Sequence, residues 1–299
     1  IMGIFQNNLM GAAAAAASAG GGEFYDYQIA NSLRFDGSSS VLTKTWGSSA
    51  TSDDKFAISV WVKAHKTDGT WGMIASAAQN DSMGLYVGAR YDSDAHSIGY
   101  YAVNGANNAA SLAYGRDSSA WRHIVWIYDS TQSSGPDRIK IYNNGEHWIA
   151  GSSAYWGDIE GNGYPSQNAD MGWGKNGNAN EIGRYQYNGE ADYYGYMADF
   201  ITIDGPASIS DFGETKNGVW IPKDPSGLTF GNNGFHLNFA SSGDLGNDVS
   251  GNNNDWSIAG LSAHDQMLDS PTFNSDSNGG NFATWNFLSR TNPALSYGA

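Results

Sequence analysis

The chain contains no cysteine, which excludes disulfides, zinc–thiolate centres and cysteine nucleophiles. Cations are scarce as well: 15 Lys and Arg stand against 30 Asp and Glu, a formal charge of −15. Phosphate backbones are bound by clustered Lys and Arg that displace counterions, and the sequence has no such cluster. Nucleic acid is therefore not an expected partner. No apolar run reaches the ~18–20 residues that a membrane helix requires, so membrane insertion is not expected either. Residues 1–22 lack a basic n-region, and their weakly apolar alanine run makes a poor signal-peptide core. Neither Gly-x-Ser-x-Gly nor His-x-x-x-His occurs, and the six histidines are scattered.

What is present points to strands. The 299 residues are 40% hydrophobic and 13% aromatic, with 39 glycines, a balance that favours strands and tight turns over helices. Period-two alternation recurs. Ile58, Val60 and Val62 share one face, while Ser59, Trp61 and Lys63 share the other. Ile124, Trp126 and Tyr128 alternate with Val125, Ile127 and Asp129, and apolar residues on both sides predict a strand buried on both faces. Ile139 and Ile141 lead into Asn144-Gly145, a favoured hairpin turn. Met197, Asp199, Ile201 and Ile203 mark another long strand. Together these predict two antiparallel sheets packed face to face.

The flanks differ from this body. Residues 1–30, with six alanines at 12–17 and a glycine run at 20–22, read as an N-terminal arm for anchoring or oligomerisation. Between 150 and 180, Tyr155, Trp156, Tyr164 and Trp173 sit among Gly, Asn and Ser with almost no aliphatics. That composition predicts a long surface loop with exposed aromatics.

The order of landmarks carries a resemblance. Ser-Leu-Arg-Phe-Asp-Gly-Ser (32–38) is followed by Phe-Ala-Ile-Ser-Val-Trp-Val-Lys (56–63) and Trp-Arg-His-Ile-Val-Trp-Ile-Tyr-Asp (121–129). Arg-Ile-Lys-Ile-Tyr-Asn-Asn-Gly-Glu (138–146), Glu-Ile-Gly-Arg (181–184) and Tyr-Tyr-Gly-Tyr-Met-Ala-Asp-Phe-Ile-Thr-Ile-Asp-Gly (193–205) complete the series. This succession resembles the laminin-G-like, concanavalin-A-like β-sandwiches, which usually bind glycans or adhere to surfaces. It implies an all-β jelly roll at 31–260, with an irregular C-terminal extension at 261–299. In many such domains a turn like Asp-Val-Ser-Gly-Asn-Asn-Asn (248–254) comes first; here it follows, and it is expected to complete the sandwich from the C-terminal side. The opening Gly-Ile-Phe-Gln-Asn-Asn-Leu-Met-Gly-Ala-Ala (3–13) and the closing Asn-Phe-Ala-Thr-Trp-Asn (281–286) resemble phage tail and fibre proteins. They imply a virion location, homo-oligomerisation and contacts with other virion subunits.

Site expectations follow from both sources. The resemblance implies calcium at one rim of the sandwich, held by Asn80 and Asp81 from one loop and by Asn188, Glu190 and Asp192 from another. Calcium takes six to eight hard oxygen ligands, which suits these side chains. Asn and Asp are also ordinary turn residues, so polar turns are the competing reading. For a cell-surface glycan or host receptor, the expected ligand-binding aromatics are Tyr155, Trp156, Tyr164 and Trp173. Some related glycosidases place Glu-x-Asp-x-x-Glu on one strand; here Glu190 and Asp192 are followed by Gly195, so a catalytic carboxylate is missing and no enzyme is expected. His123, at a strand start, is expected to be structural.

Overall fold

The computed structural model describes residues 24–64, 71–78, 83–88, 98–102, 107–110, 117, 119–148, 164–185 and 192–273. Their strands are β1 (Ser32–Asp36), β2 (Val41–Thr45), β3 (Lys55–Ala64), β4 (Trp71–Ala78), β5 (Met83–Gly88) and β6 (Ile98–Ala102). Next come β7 (Asn107–Ala110), β8 (Arg122–Asp129), β9 (Ile139–Asn143), β10 (Glu146–Trp148), β11 (Ala179–Ile182) and β12 (Tyr194–Ile203). The last are β13 (Gly213–Lys216), β14 (Val219–Pro222), β15 (Phe235–Leu237), β16 (Ser257–Ala259) and β17 (Gln266–Met267). The first sheet runs β10-β9-β8-β3-β12-β1-β17, with β15 also paired to β12; the second runs β16-β2-β11-β4-β5-β6-β7. The pairings between these strands are antiparallel, and β13 and β14 form a separate hairpin. The sequence expectation of two face-to-face antiparallel sheets is what the chain builds.

Between the sheets lies one apolar core. Ile58, Val60 and Val62 of β3 meet Ile124, Trp126 and Tyr128 of β8 and Leu42, Ile182, Ala75 and Leu85 of the second sheet. The Asn144-Gly145 turn joins β9 to β10 with φ of 49° and 79°, the left-handed pair that a tight hairpin demands. The Trp220 ring presses on Gly145 so closely that a Cβ there would lie 2.3 Å from it.

Strand β12 departs from simple alternation. Met197 faces the core, but Ile201 and Ile203 face the opposite side, and Phe200 takes the next inward place. The cause is a bulge between Ala198 and Ile201, where Asp199 adopts φ 51°. One extra residue reverses every side chain beyond it.

The outer face of the first sheet is covered by a further layer. Ala57, Val125, Ile201 and Ile203 pack beneath Phe212 and Phe230. Trp61, Trp121 and Ala198 pack beneath Ile29, with Tyr27 and Trp220 alongside. Lys63, on the nominally polar side of β3, is fully buried and ion-paired to Asp269 at 2.7 Å. Asp269 also accepts from Trp121 Nε1 at 3.1 Å.

Residues on either side of the expected span 31–260 join the sandwich's contacts: β17 pairs with β1, Asp269 locks onto Lys63, and Ser270 and Thr272 are buried. Ile29 exchanges hydrogen bonds with Thr272 through its N–H and its carbonyl. The Asp248 turn completes the sandwich as expected, since Trp256 enters the core and β16 pairs with β2.

Candidate functional site

The outer face of the second sheet is built differently. In β11, Asn180 and Ile182 point into the interior, which turns Glu181 outward. Across the ladder its direct neighbours are Thr43 of β2 and Ser76 of β4, and Ser76 in turn faces Gly84 of β5. Among the described residues no apolar cluster covers this row, yet Ser76 and Gly84 are buried while Thr43 and Glu181 are partly exposed. Oε2 of Glu181 is shielded from solvent and has no hydrogen-bond partner among the described residues. Burial raises the Glu181 carboxyl above its usual range; Arg184 pulls against this and Asp192 adds to it.

Beside the row lies the rim. Arg184 Nε donates to Asp192 Oδ1 at 2.8 Å, and its Nη2 reaches the Ser38 carbonyl at 3.3 Å. Ser76 Oγ donates to the Arg184 carbonyl at 2.8 Å, tying rim to sheet. Ser38 belongs to a turn closed on the Asp36 carboxylate, which accepts from the backbone N–H groups of Ser38, Ser39 and Ser40. Burial opposes ionisation there, but those bonds and the Ser39 hydroxyl hold the carboxyl well below the usual range.

Of the expected calcium ligands, Asn80, Asp81, Asn188 and Glu190 lie outside the described residues. Asp192 is described, and it is engaged by Arg184. Among the described residues no group of three His, Asp or Glu side chains stands together to hold a metal. The acidic turn at 248 is stitched by its own chain: Asp248 accepts from the N–H groups of His236, Ser250 and Asn254.

Of the expected ligand-binding aromatics, Tyr155 and Trp156 lie outside the described residues. Tyr164 is half-buried, its ring against Gly135. Trp173 requires a correction. It is 4% exposed, packed between Phe235 and Trp256 in the core. The glycines around it, which suggested an exposed loop, instead let the backbone pass close to the core: Gly174 N–H donates to the buried Asn180 side chain.

Two buried histidines are structural. Trp220 Nε1 can only donate, so His123 Nδ1 accepts from it at 2.8 Å and Nε2–H faces Ser59 Oγ at 2.7 Å. Burial lowers its pKa to about 3 and keeps it neutral. His236 and Tyr27 both bond Asp199 Oδ1, at 2.6 and 2.9 Å. Sequence reasoning missed Glu181 as a site residue. The available signal was its alternation with Asn180 and Ile182 in a strand opposite Ser76.

No family model matches the sequence, and no curated protein does. Among solved structures, a heptameric SAP-like pentraxin from Limulus polyphemus aligns over 61% of this chain and 80% of its own, at 16% identity and TM-score 0.41. A Bacteroides ovatus protein for which carbohydrate binding is a proposed role aligns over 78% of this chain at 17% identity and TM-score 0.48. Domains LG4-5 of the mouse laminin α1 chain align over 57%, at 12% identity and TM-score 0.38. This chain spans 60% and 40% of those last two. At these scores the likeness adds nothing to what the two sheets establish. The protein is an all-β sandwich of two antiparallel sheets.

Proposed function

We propose that the protein is a phage virion surface or fibre component whose sandwich is a non-catalytic adhesin for a cell-surface glycan or receptor. The observation that carries this reading is the inequality of the two outer faces: one is closed by apolar packing, the other carries the partly exposed Thr43 and Glu181, with Ser76 buried beside them, next to a rim of Asp36, Arg184 and Asp192. The phage assignment rests on the resemblance of residues 3–13 and 281–286 to tail and fibre proteins. The chain works as a homo-oligomer on the particle, where several weak sites gain avidity. Calcium at the rim, through Asn80, Asp81, Asn188, Glu190 and Asp192, belongs to the same proposal.

A glycan array probed with the assembled protein, in calcium and in chelator, tests it. Calcium-dependent binding supports both the adhesin and the rim site. Binding indifferent to chelator keeps the adhesin and removes the calcium. Absence of binding favours a purely structural virion subunit, a reading that gains from the burial of Trp173, one of the four aromatics expected to meet a ligand.

A further inference from the structure

With 30 carboxylates for 15 cations, each lysine and arginine has partners to spare, yet one goes without. Among the described residues seven cations pair with carboxylates, and Lys44, Arg138 and Lys223 donate to backbone carbonyls. Arg122 is the exception: among the described residues neither a carboxylate nor a carbonyl meets its guanidinium. Its position makes that unfavourable. Arg122 pairs with Val62 at the start of β8 and shares the inward side of Ile124, Trp126 and Tyr128. Burial works against its charge and lowers its pKa, and the group that works the other way is the Tyr193 phenol rather than a carboxylate. A charged fork of five N–H donors in such a place ordinarily has an anion. Solutes can reach it, since Arg122 is partly exposed. Asn143 ends β9 opposite Ile124, diagonal to Arg122 on the same side. Its Oδ1 has no partner among the described residues, so a half-turn of the amide presents NH2 beside the guanidinium.

We infer that Arg122, with Asn143 beside it, is an anion site at the end of the sandwich where β3 finishes and β8 begins, taking the single carboxylate or sulfate of an acidic sugar. This rests on the adhesin reading and names its ligand class. A guanidinium fork matches either group with two parallel hydrogen bonds. A polyanion fits poorly: it needs clustered cations, the other described ones are engaged, and the formal charge of −15 repels it at longer range. A protein partner fits poorly as well. Interface energy concentrates in exposed aromatic and apolar anchors, whereas Val62, Ile124 and Tyr193 around the arginine are buried.

The test uses the full chain and two variants, Arg122→Gln and Arg122→Lys, on an array of uncharged, uronate-bearing, monosulfated and polysulfated oligosaccharides, followed by titration of the strongest acidic hit. The expected result is wild-type binding to singly charged sugars, weakened on the order of ten- to a hundred-fold by Arg122→Gln, since bonds between charged groups are the strong ones. Arg122→Lys keeps the charge, loses the two-pronged geometry and falls between. Thermal melting is the folding control. Arg122→Gln should melt at or above the wild-type midpoint, because it removes an unpaired charge from the interior. A large drop would make the guanidinium part of the fold and overturn the site. Acidic-sugar affinity unchanged in Arg122→Gln also overturns the site and leaves the adhesin reading standing. Wild-type binding confined to uncharged or polysulfated sugars overturns the ligand class. No binding by wild type removes this inference and the glycan adhesin together.

Discussion

The outer face of the first sheet carries Trp61, Lys63, Val125 and Ile201, every one of them buried. That of the second carries Thr43 and Glu181, both partly exposed, and a fully buried Ser76, with no apolar cluster over them among the described residues. Both faces belong to the same sandwich and both alternate with the same core. The difference lies in what returns to cover them. Residues 27–29, 205–230 and 269–272 all lie against the first sheet, and their apolar side chains face Ala57, Val125, Trp61 and Trp121. Alternation therefore says which side of a strand meets the core; it does not say that the other side meets water. A large aromatic on the nominally polar side, as Trp61 is, marks a covered face.

The sharpest way to break the covered face is Asp269→Ala. Lys63 would then be a buried cation without its carboxylate, a change that typically costs about 3–5 kcal/mol. Replacing the pair together with Met at 63 and Leu at 269 should recover most of that loss, because an apolar pair carries no desolvation penalty. Urea denaturation of the three proteins checks it. A single variant as stable as wild type would mean that Lys63 reaches water, and the cover would be a loose flap.

Trp173→Ala is expected to cost a similar ~3–5 kcal/mol through loss of packing against Phe235 and Trp256. Its measurement separates two roles once given to the same residue. A thermal midpoint that drops, with carbohydrate binding retained in the folded fraction, places Trp173 in the core; the reverse pattern would restore it to a binding surface.

Much of this architecture was legible in the sequence, for a local reason. Strands β3, β8 and β9 announce themselves through alternation within 10, 8 and 5 residues, and Asn144-Gly145 carries its turn in its own backbone preference. Three things were not legible, and each depends on something remote or on a single dihedral. The partner of Lys63 lies 206 residues away, so alternation placed it on a face with Ser59 and Trp61 without showing the carboxylate that meets it there. Asp199 kept the apparent period of its strand while a positive φ reversed the faces beyond it. Trp173 lay in a Gly- and Asn-rich stretch whose composition suggests a surface, yet its packing is set by Phe235 and Trp256, far along the chain. The candidate row was missed for a related cause: Thr43, Glu181 and Ser76 come from three strands, and only their pairing makes them neighbours.

Acid should weaken the covered face before it touches the other. His123 is fully buried against Trp61 and Trp220, with a pKa lowered from 6.5 to about 3 by burial. Its folded pKa lies below the unfolded one, so the stability it contributes is complete above pH 6.5. That contribution is lost as pH falls towards 3. By pH 4.5 the expected loss is about 2–3 kcal/mol. The half-buried His147, also lowered by burial, acts in the same direction with less weight. Urea midpoints between pH 7.5 and 4.5 should slope downward in the wild type and flatten in His123→Gln. Equal slopes would assign the acid sensitivity to other groups.

The smallest effect is expected on the outer face of the second sheet, and its smallness is what distinguishes the two. Glu181→Gln keeps the shape of the side chain and removes a carboxyl whose ionised form burial disfavours. Stability should change by less than about 1 kcal/mol, with a gain the favoured sign, because the desolvation cost of the charge disappears. Loss of the attraction between Arg184 and Glu181 limits that gain, while the Arg184–Asp192 bond is retained. Thermal melting at pH 7 reads the difference directly. A large loss would mean that the carboxyl is part of the fold, and the row would then resemble the covered face rather than contrast with it.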